Sequence, residues 1–340
     1  MESLADDTAR SRVRTGLVFA LISASSFGLS GPIARALLDT GWSASAAVTI
    51  RIAIAALVLA PVAIGHMTGR LRELLRRSTL GAMAAYGAIA VALPQLCYFY
   101  AVETLQVGVA LLIEYLAPVV VVGWMWVRHG QRPTWRTLVG ALVAAAGLAL
   151  VLQIFGGVRL DAVGVAWALG ATIGAAGYFI MSGSMRTTVP AVTLAGGGLI
   201  TAAIGLSLLG VVGVLPMSSS TANVTLGGHQ LPWWAALLVL GVITAAVAYV
   251  TGIAAARRLG SRLASFVALA EVVAAIVFAW LLLGQVPTLV QLLGGALILA
   301  GVVIVKLGEP SVSDEVVPDP LPSVDPPSQD PTVDELGARA

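Results

Sequence analysis

The amino-acid sequence predicts an all-α membrane protein: ten transmembrane helices in two inverted five-helix repeats, with both termini in the cytoplasm. Three observations predict it. First, the 340 residues are 58% hydrophobic and only 11% charged, with a mean hydropathy of +0.95, whereas a soluble domain is about 45–50% apolar and about 25% charged. Second, apolar runs of roughly the 20 residues that a spanning helix needs follow one another along the chain. Third, the sequence repeats itself: "GQRPT" at 130–134 returns as "GQVPT" at 284–288.

The apolar runs are 16–38, 43–65, 80–101, 105–127, 135–155, 163–184, 190–214, 233–255, 263–283 and 288–306. The first is too long for a secretory signal and lacks a small-residue cleavage site before further spans follow. The third carries Pro94 in mid-span, which frees a backbone carbonyl and demands compensation from protein or a wet cavity. The fourth closes at Gly130, where a left-handed residue costs little. The fifth then starts after Pro133, whose missing N–H does no harm in a first turn. Gly284 and Pro287 do the same between the ninth and tenth runs. The longest loop, "LPMSSSTANVTLGGHQLP" at 215–232, is polar and uncharged.

Basic residues set the orientation. Numbering helix ends alternately, one side receives Arg10, Arg12, Arg14, Arg70, Arg72, Arg76, Arg77, Arg128, Arg132, Arg136, Arg186, Arg257, Arg258, Arg262 and Lys306. The other side receives Arg159, beside Asp161. The asymmetry places both termini in the cytoplasm.

Sliding the chain against itself by the step that joins the two pentapeptides aligns more of it without gaps. Ala101 meets Ala255, Leu105 meets Leu259, Ala110 meets Ala264, Leu138 meets Leu292, Gly140 meets Gly294 and Gly147 meets Gly301. At a slightly shorter step, Gly16, Ala20 and Leu21 meet Gly164, Ala168 and Leu169. Similarity on this scale means two related halves rather than a short solenoid repeat. Five spans per half is an odd number, so the second half enters the membrane from the opposite side. Secondary transporters use this architecture, with the substrate near the midplane between the halves. The chain therefore divides into a cytoplasmic leader (1–15), a first repeat (16–155), a second repeat (163–307) and a proline-rich acidic tail (308–340) with the composition of a disordered segment.

Intramembrane charge is costly, about 2.5–3.5 kcal/mol on insertion scales, and marks a functional candidate. The spans hold Arg35, Arg51, Glu114 and Glu271. Glu114 and Glu271 each lie about nine residues into their helices, roughly 13 Å deep at 1.5 Å per residue, near the centre of a core about 30 Å thick. They are near-equivalents under the repeat, displaced by about one turn. Arg51 lies at a comparable depth, and either pairs with Glu114 or snorkels to the headgroups. Arg35, close to Asp39, reads as an interfacial anchor. Tyr86, Gln95, Tyr98, Tyr178 and Tyr249 lie at mid-depth as candidate cavity lining, with packing as the plain alternative. Trp124, Trp126, Trp233 and Trp234 stand near span ends, as in an aromatic belt. Cys97 reads as a small apolar filler. His66, His129 and His229 fall in or beside loops and form no metal constellation, and no phosphate-cradling glycine loop occurs. Catalytic residues, metal and cofactor are thus not expected.

The stretches "ALLIEYLAPVVVV" (110–122) and "GQRPTWRTLVGALVAAAG" (130–147), with their second copy at 264–301, resemble the drug/metabolite transporter superfamily, specifically its EamA-type domain in two copies. The resemblance covers roughly 16–307. One departure is visible: Gln131 and Gln285 stand where the family usually has glutamate. The resemblance implies a multi-pass transporter of the cytoplasmic membrane that exports a small organic metabolite, such as an amino acid, by alternating access. The expected partners are the lipid bilayer, that solute and protons coupled through Glu114 or Glu271, with no role for nucleic acid. An uncoupled exchanger or channel, or an intramembrane enzyme, are the competing readings. The enzyme would need a nucleophile–base pair or a metal cluster at membrane depth.

Overall fold

A computed structural model describes residues 2–65, 76–130, 132–151, 161–184, 191–252, 254–255, 258 and 269–308. The acidic tail from Glu309 onward, His66, Gln131 and Arg159 lie outside the described residues. The leader and the first apolar run form one long helix, α1 (Glu2–Gly28), followed by α2 (Ser30–Leu38) and α3 (Ala44–Gly65). Next come α4 (Arg77–Tyr86), a π-helical segment (Gly87–Ala92), α5 (Leu93–Thr104), α6 (Val107–Glu114), α7 (Ala117–His129) and α8 (Trp135–Val151). The rest comprises α9 (Ala162–Ser184), α10 (Ala191–Val211), α11 (Trp233–Leu238), a second π-helical segment (Val239–Val247), α12 (Ala270–Leu283) and α13 (Leu289–Gly308).

Five helical stretches are long and apolar enough to cross a membrane: Val13–Leu38, Ala44–Val62, Arg77–Thr104, Val107–Arg128 and Trp233–Gly252. Five shorter apolar helices, Trp135–Val151, Ala162–Tyr178, Ala195–Val211, Ala270–Leu283 and Leu289–Val305, fall in the remaining apolar runs. The outer surface suits lipid rather than water. Leu57 is 75% exposed and Val127 86%, and large contiguous apolar surface is rare on soluble monomers. Within the bundle, Leu37, Ile52, Phe99, Ile113, Leu240 and Ile298 are fully buried. One element departs from the all-α expectation. The loop at 215–232 contains a two-stranded hairpin, β1 (Val224–Leu226) against β2 (His229–Leu231), with Gly227 and Gly228 both at positive φ in the turn.

Where the helices break, the cause is local. Pro32 lacks the N–H that would bond Gly28 O, and the first span bends at Leu29. Pro118 likewise leaves Glu114 O without its partner, and the fourth span breaks at Tyr115–Leu116. Pro94 frees Ala90 O, and the chain answers with the π-helical segment just before it, which closes with Leu93 N–H on Ala88 O. Such π adjustments are how spanning helices re-satisfy freed backbone groups. The repeat extends to these irregularities. The step that sets Gly130 on Gly284 sets Gly87 on Gly241, each inside a π segment. The same step sets Tyr115 on Leu269, the residue before α12.

Packing between the halves is reciprocal. Helix α3 packs on the second π segment and α10 on the first, while α1 packs on α12 and α9 on α6. Helices α8 and α13 lie against each other along a glycine seam. A methyl group on Gly140 would stand 2.7 Å from Gly301 O, and one on Gly147 would stand 2.6 Å from Gly294 O. Gly140 and Gly294 are equivalents, as are Gly147 and Gly301, so the two equivalent helices cross antiparallel. Small residues at such a seam let backbones approach closely.

The end of the bundle that carries the hairpin is tied by polar contacts. Trp42 Nε1 donates to Ser220 O at 2.8 Å, Ser43 Oγ to Pro216 O at 2.7 Å, and Gly227 N to Leu282 O at 2.9 Å. Arg35 ties the same end, with Nε on Asp39 Oδ1 at 3.0 Å and Nη1 on the Val102 and Glu103 carbonyls, each at 2.8 Å. Trp124, Trp126 and Trp234 are about half exposed, as a belt requires, but Trp233 turns onto Trp42 with ring centroids 6.0 Å apart. Cys97 is buried, with its Sγ against Gly170.

Candidate functional site

The two breaks at equivalent positions bring the central acids to helix ends. Glu114 is the last residue of α6, and Glu271 lies in the first turn of α12. Their surroundings differ. Glu271 sits at the positive end of a helix dipole, and its Oε2 accepts a hydrogen bond from Tyr115 Oη at 2.9 Å. Glu114 sits at a C-terminal end and accepts no hydrogen bond within the described residues. Both residues are half-buried.

Arg51 approaches the two acids from α3. It is 4% exposed, and its charge is close enough to act on Tyr249, Tyr98, Glu271 and Glu114. Neither of the alternatives expected from the sequence is realised. Arg51 makes no ion pair with Glu114, and it does not snorkel outward. Instead Nη2 donates to Thr244 O at 3.0 Å, in the second π segment, and the guanidinium lies over Phe99 at 5.6 Å from the ring centroid. A buried guanidinium is thus held by a carbonyl and an aromatic face, with its Nε–H unpartnered among the described residues. A buried polar atom left unpaired costs about 1–3 kcal/mol.

Of the other sequence candidates, Tyr98 and Tyr249 join the cluster. Tyr98 is buried within electrostatic reach of Glu114, Glu271 and Arg51, and its hydroxyl stands where any side chain at Gly31 would collide. Tyr249 meets Phe27 edge-on at 5.2 Å and lies within reach of both acids and Arg51. Gln95, the repeat equivalent of Tyr249, lies one turn before Tyr98 with a buried and unpartnered Oε1. Tyr178 lies within electrostatic reach of Tyr249, while Tyr86 is packed on Tyr178 at 6.1 Å and on Gly198. Sequence reasoning missed Tyr115, Phe99, Thr244 and Ser30, whose buried hydroxyl is also unpartnered. Pro118 is the signal that could have found Tyr115, because the helix break beside it lets Tyr115 Oη reach Glu271.

The site therefore combines one buried cation, two carboxylates and a set of phenols at the junction of the two halves. The sequence profile of the EamA-like transporter family matches residues 14–153 and again 162–307. The chain belongs to the EamA-like transporter family. It is a multi-pass membrane transporter, and the family points away from enzymatic chemistry. It is also similar to the uncharacterized inner membrane transporter YicL of Salmonella typhimurium. The two are 25% identical over 299 residues, spanning 86% of this chain and 96% of YicL. A crystal structure at 22% identity aligns with 88% of this chain and 97% of its own, with a TM-score of 0.48. The EamA-like matches leave the hairpin loop inside the second repeat and the acidic tail outside both.

Proposed function

We propose that the protein is a secondary-active carrier that exports a small organic metabolite, such as an amino acid, across the cytoplasmic membrane by alternating access. In this reading it has ten spans in two inverted repeats, and both termini are cytoplasmic. The observation that carries the reading is the charged cluster at the junction of two halves whose equivalent helices cross antiparallel. Inverted halves around a midplane site are the usual frame for exposing one site to either side in turn.

Residue roles follow from the partners each side chain already has. Arg51, with its free Nε–H, binds an anionic group of the solute. Glu271 is committed to Tyr115 and serves to hold α12 against the fourth span. Glu114 has no hydrogen bond to give up among the described residues, so it is the group that exchanges a proton against the solute. The two π segments, Gly87–Ala92 and Val239–Val247, are the hinges: each contains an equivalent glycine packed tightly on the opposite half, Gly87 on Thr201 and Gly241 on Ile54. π-helical segments inside α-helices frequently mark functional sites.

Orientation is checked with reporter fusions. Fusions after residue 307 and within 66–79 are expected to read cytoplasmic, and one within 216–231 external. A cytoplasmic signal from 216–231 would overturn the ten-span arrangement in its second half. Function is checked by a thermal-shift screen of amino acids and related solutes on purified protein. A solute that is carried raises the Tm of the wild type but not of Arg51→Lys, which removes the Nε–H and keeps the charge. A solute that stabilises both equally does not use Arg51, and the assigned role fails.

A further inference from the structure

Away from the charged cluster, a cavity of about 250 Å³ opens between α6, α12 and α13. Its walls are aliphatic, formed by residues such as Val109, Leu112, Ile276 and Leu299. Two glycines let its walls close: a methyl group on Gly108 would stand 2.9 Å from Ile276, and one on Gly295 would stand 3.1 Å from Leu112. The mouth is rimmed by Val273, Val277 and Leu292, all exposed on the lipid-facing surface. The groove thus opens sideways into the bilayer rather than into the central site.

Its other end is polar in a specific way. Gln285 and Gln291 both line it. Gln285 Oε1 accepts Val107 N–H at 3.1 Å, and Gln291 Oε1 accepts Thr288 N–H at 2.9 Å. Both carbonyl oxygens are therefore spent on helix N-termini, which leaves the NH₂ group of each amide as the polar group these two lining residues can offer to the groove. Gln291 is 7% exposed and Gln285 half-buried. Among the described residues only the Oε1 atoms of these two side chains take part in hydrogen bonds, so each NH₂ is left to donate, and the aliphatic walls offer no acceptor. The run from Gln291 to Leu299 gives the groove about 12 Å of length at 1.5 Å per residue.

We propose that this groove is a lipid site: it holds one acyl chain of a bilayer phospholipid, with the ester carbonyl of that chain accepting hydrogen bonds from the NH₂ groups of Gln285 and Gln291. The chain comes from the leaflet on the hairpin side, because Gln285 lies at that end, close to the contact between Gly227 and Leu282. The bound chain fills the seam between the fourth span and α12, next to the helices that carry Glu114 and Glu271. It steadies their packing without entering the solute site.

The test is native mass spectrometry of the full-length protein in mild detergent, titrated with dioleoyl phosphatidylethanolamine. The wild type retains one lipid well above the series of weaker adducts. Ala296→Phe places a ring in the groove from an exposed position and loses that lipid. The double variant Gln285→Glu with Gln291→Glu keeps both acceptors for Val107 and Thr288 but removes the donors. It weakens the one-lipid species by about tenfold, the worth of two ordinary hydrogen bonds. Melting without added lipid checks that each variant is folded. Equal retention in all three proteins overturns the proposal. So does full retention by the glutamate variant with loss in Ala296→Phe, since the groove would then hold hydrocarbon with no ester recognition. Should Ala296→Phe misfold, the glutamate variant decides alone.

Discussion

Glu114→Gln is expected to reduce proton-driven accumulation to the level of empty vesicles while leaving solute-for-solute exchange intact. The amide keeps the shape of the side chain but carries no exchangeable acid. Because Glu114 accepts no hydrogen bond from the described protein, its replacement disturbs little packing, and the Tm stays near the wild-type value. Glu271→Gln makes the contrast. Its amide oxygen still accepts from Tyr115, so the fold survives and proton-driven accumulation falls much less. From the sequence the two acids look interchangeable. The helix ends separate them: one carboxylate is hydrogen-bonded in a first turn, and the other, at a last residue, has no hydrogen-bond partner among the described residues. Full proton-driven transport by Glu114→Gln would end its candidacy. A collapse of its Tm, rescued by Arg51→Gln, would mean that it serves only to neutralise the arginine.

Gly147→Leu is expected to be the most damaging single change to folding. A side chain there meets Gly294 O at 2.6 Å and Ile298 N at 2.7 Å, backbone atoms that cannot rotate away. Overpacking a core typically costs about 1–3 kcal/mol where side chains can adjust. At this seam α8 and α13 must separate along their length, and the loss lies at or above the top of that range. Fluorescence-detected size exclusion should show little monodisperse protein. Leu142→Ala is the control on the same helix: Leu142 is 69% exposed, and its truncation should leave expression and melting unaltered. Wild-type stability in Gly147→Leu would mean that the halves are not held together by this seam.

The repeat and the apolar runs were legible because they depend on hydropathy and on small residues at fixed spacing. Gly140, Gly147, Gly294 and Gly301 recur at the repeat step as small residues, and the structure places them in one seam. The hairpin does leave a signal in the sequence: Gly227-Gly228 lies between short alternating stretches, and paired positive φ is what a tight hairpin turn requires. Polarity alone, which marks 215–232 only as a loop, does not reveal it. The π segments were not legible. A shift from i+4 to i+5 bonding leaves no mark in hydropathy, and only Pro94 hinted that the third span must deviate. Arg51 was misjudged for a related reason. The sequence exposes carboxylates as partners for a guanidinium, but a backbone carbonyl such as Thr244 O becomes a partner only through the course of the helix that carries it. Tyr115 was missed because residues adjacent in a regular helix point about 100° apart, and the break at 115–116 cancels that geometry.

The central claim is that one site at the junction of the halves is reached from either side in turn, and counterflow tests it most directly. Proteoliposomes are loaded with the unlabelled amino acid that gives the largest thermal shift, then diluted into a trace of the radiolabelled compound without any ion gradient. A carrier draws label inward above its outside concentration, transiently and with a rate that saturates. Arg51→Lys should lose this overshoot. Uptake that rises linearly with concentration and never exceeds equilibrium, in vesicles shown to contain folded protein, would contradict the account and point to a channel.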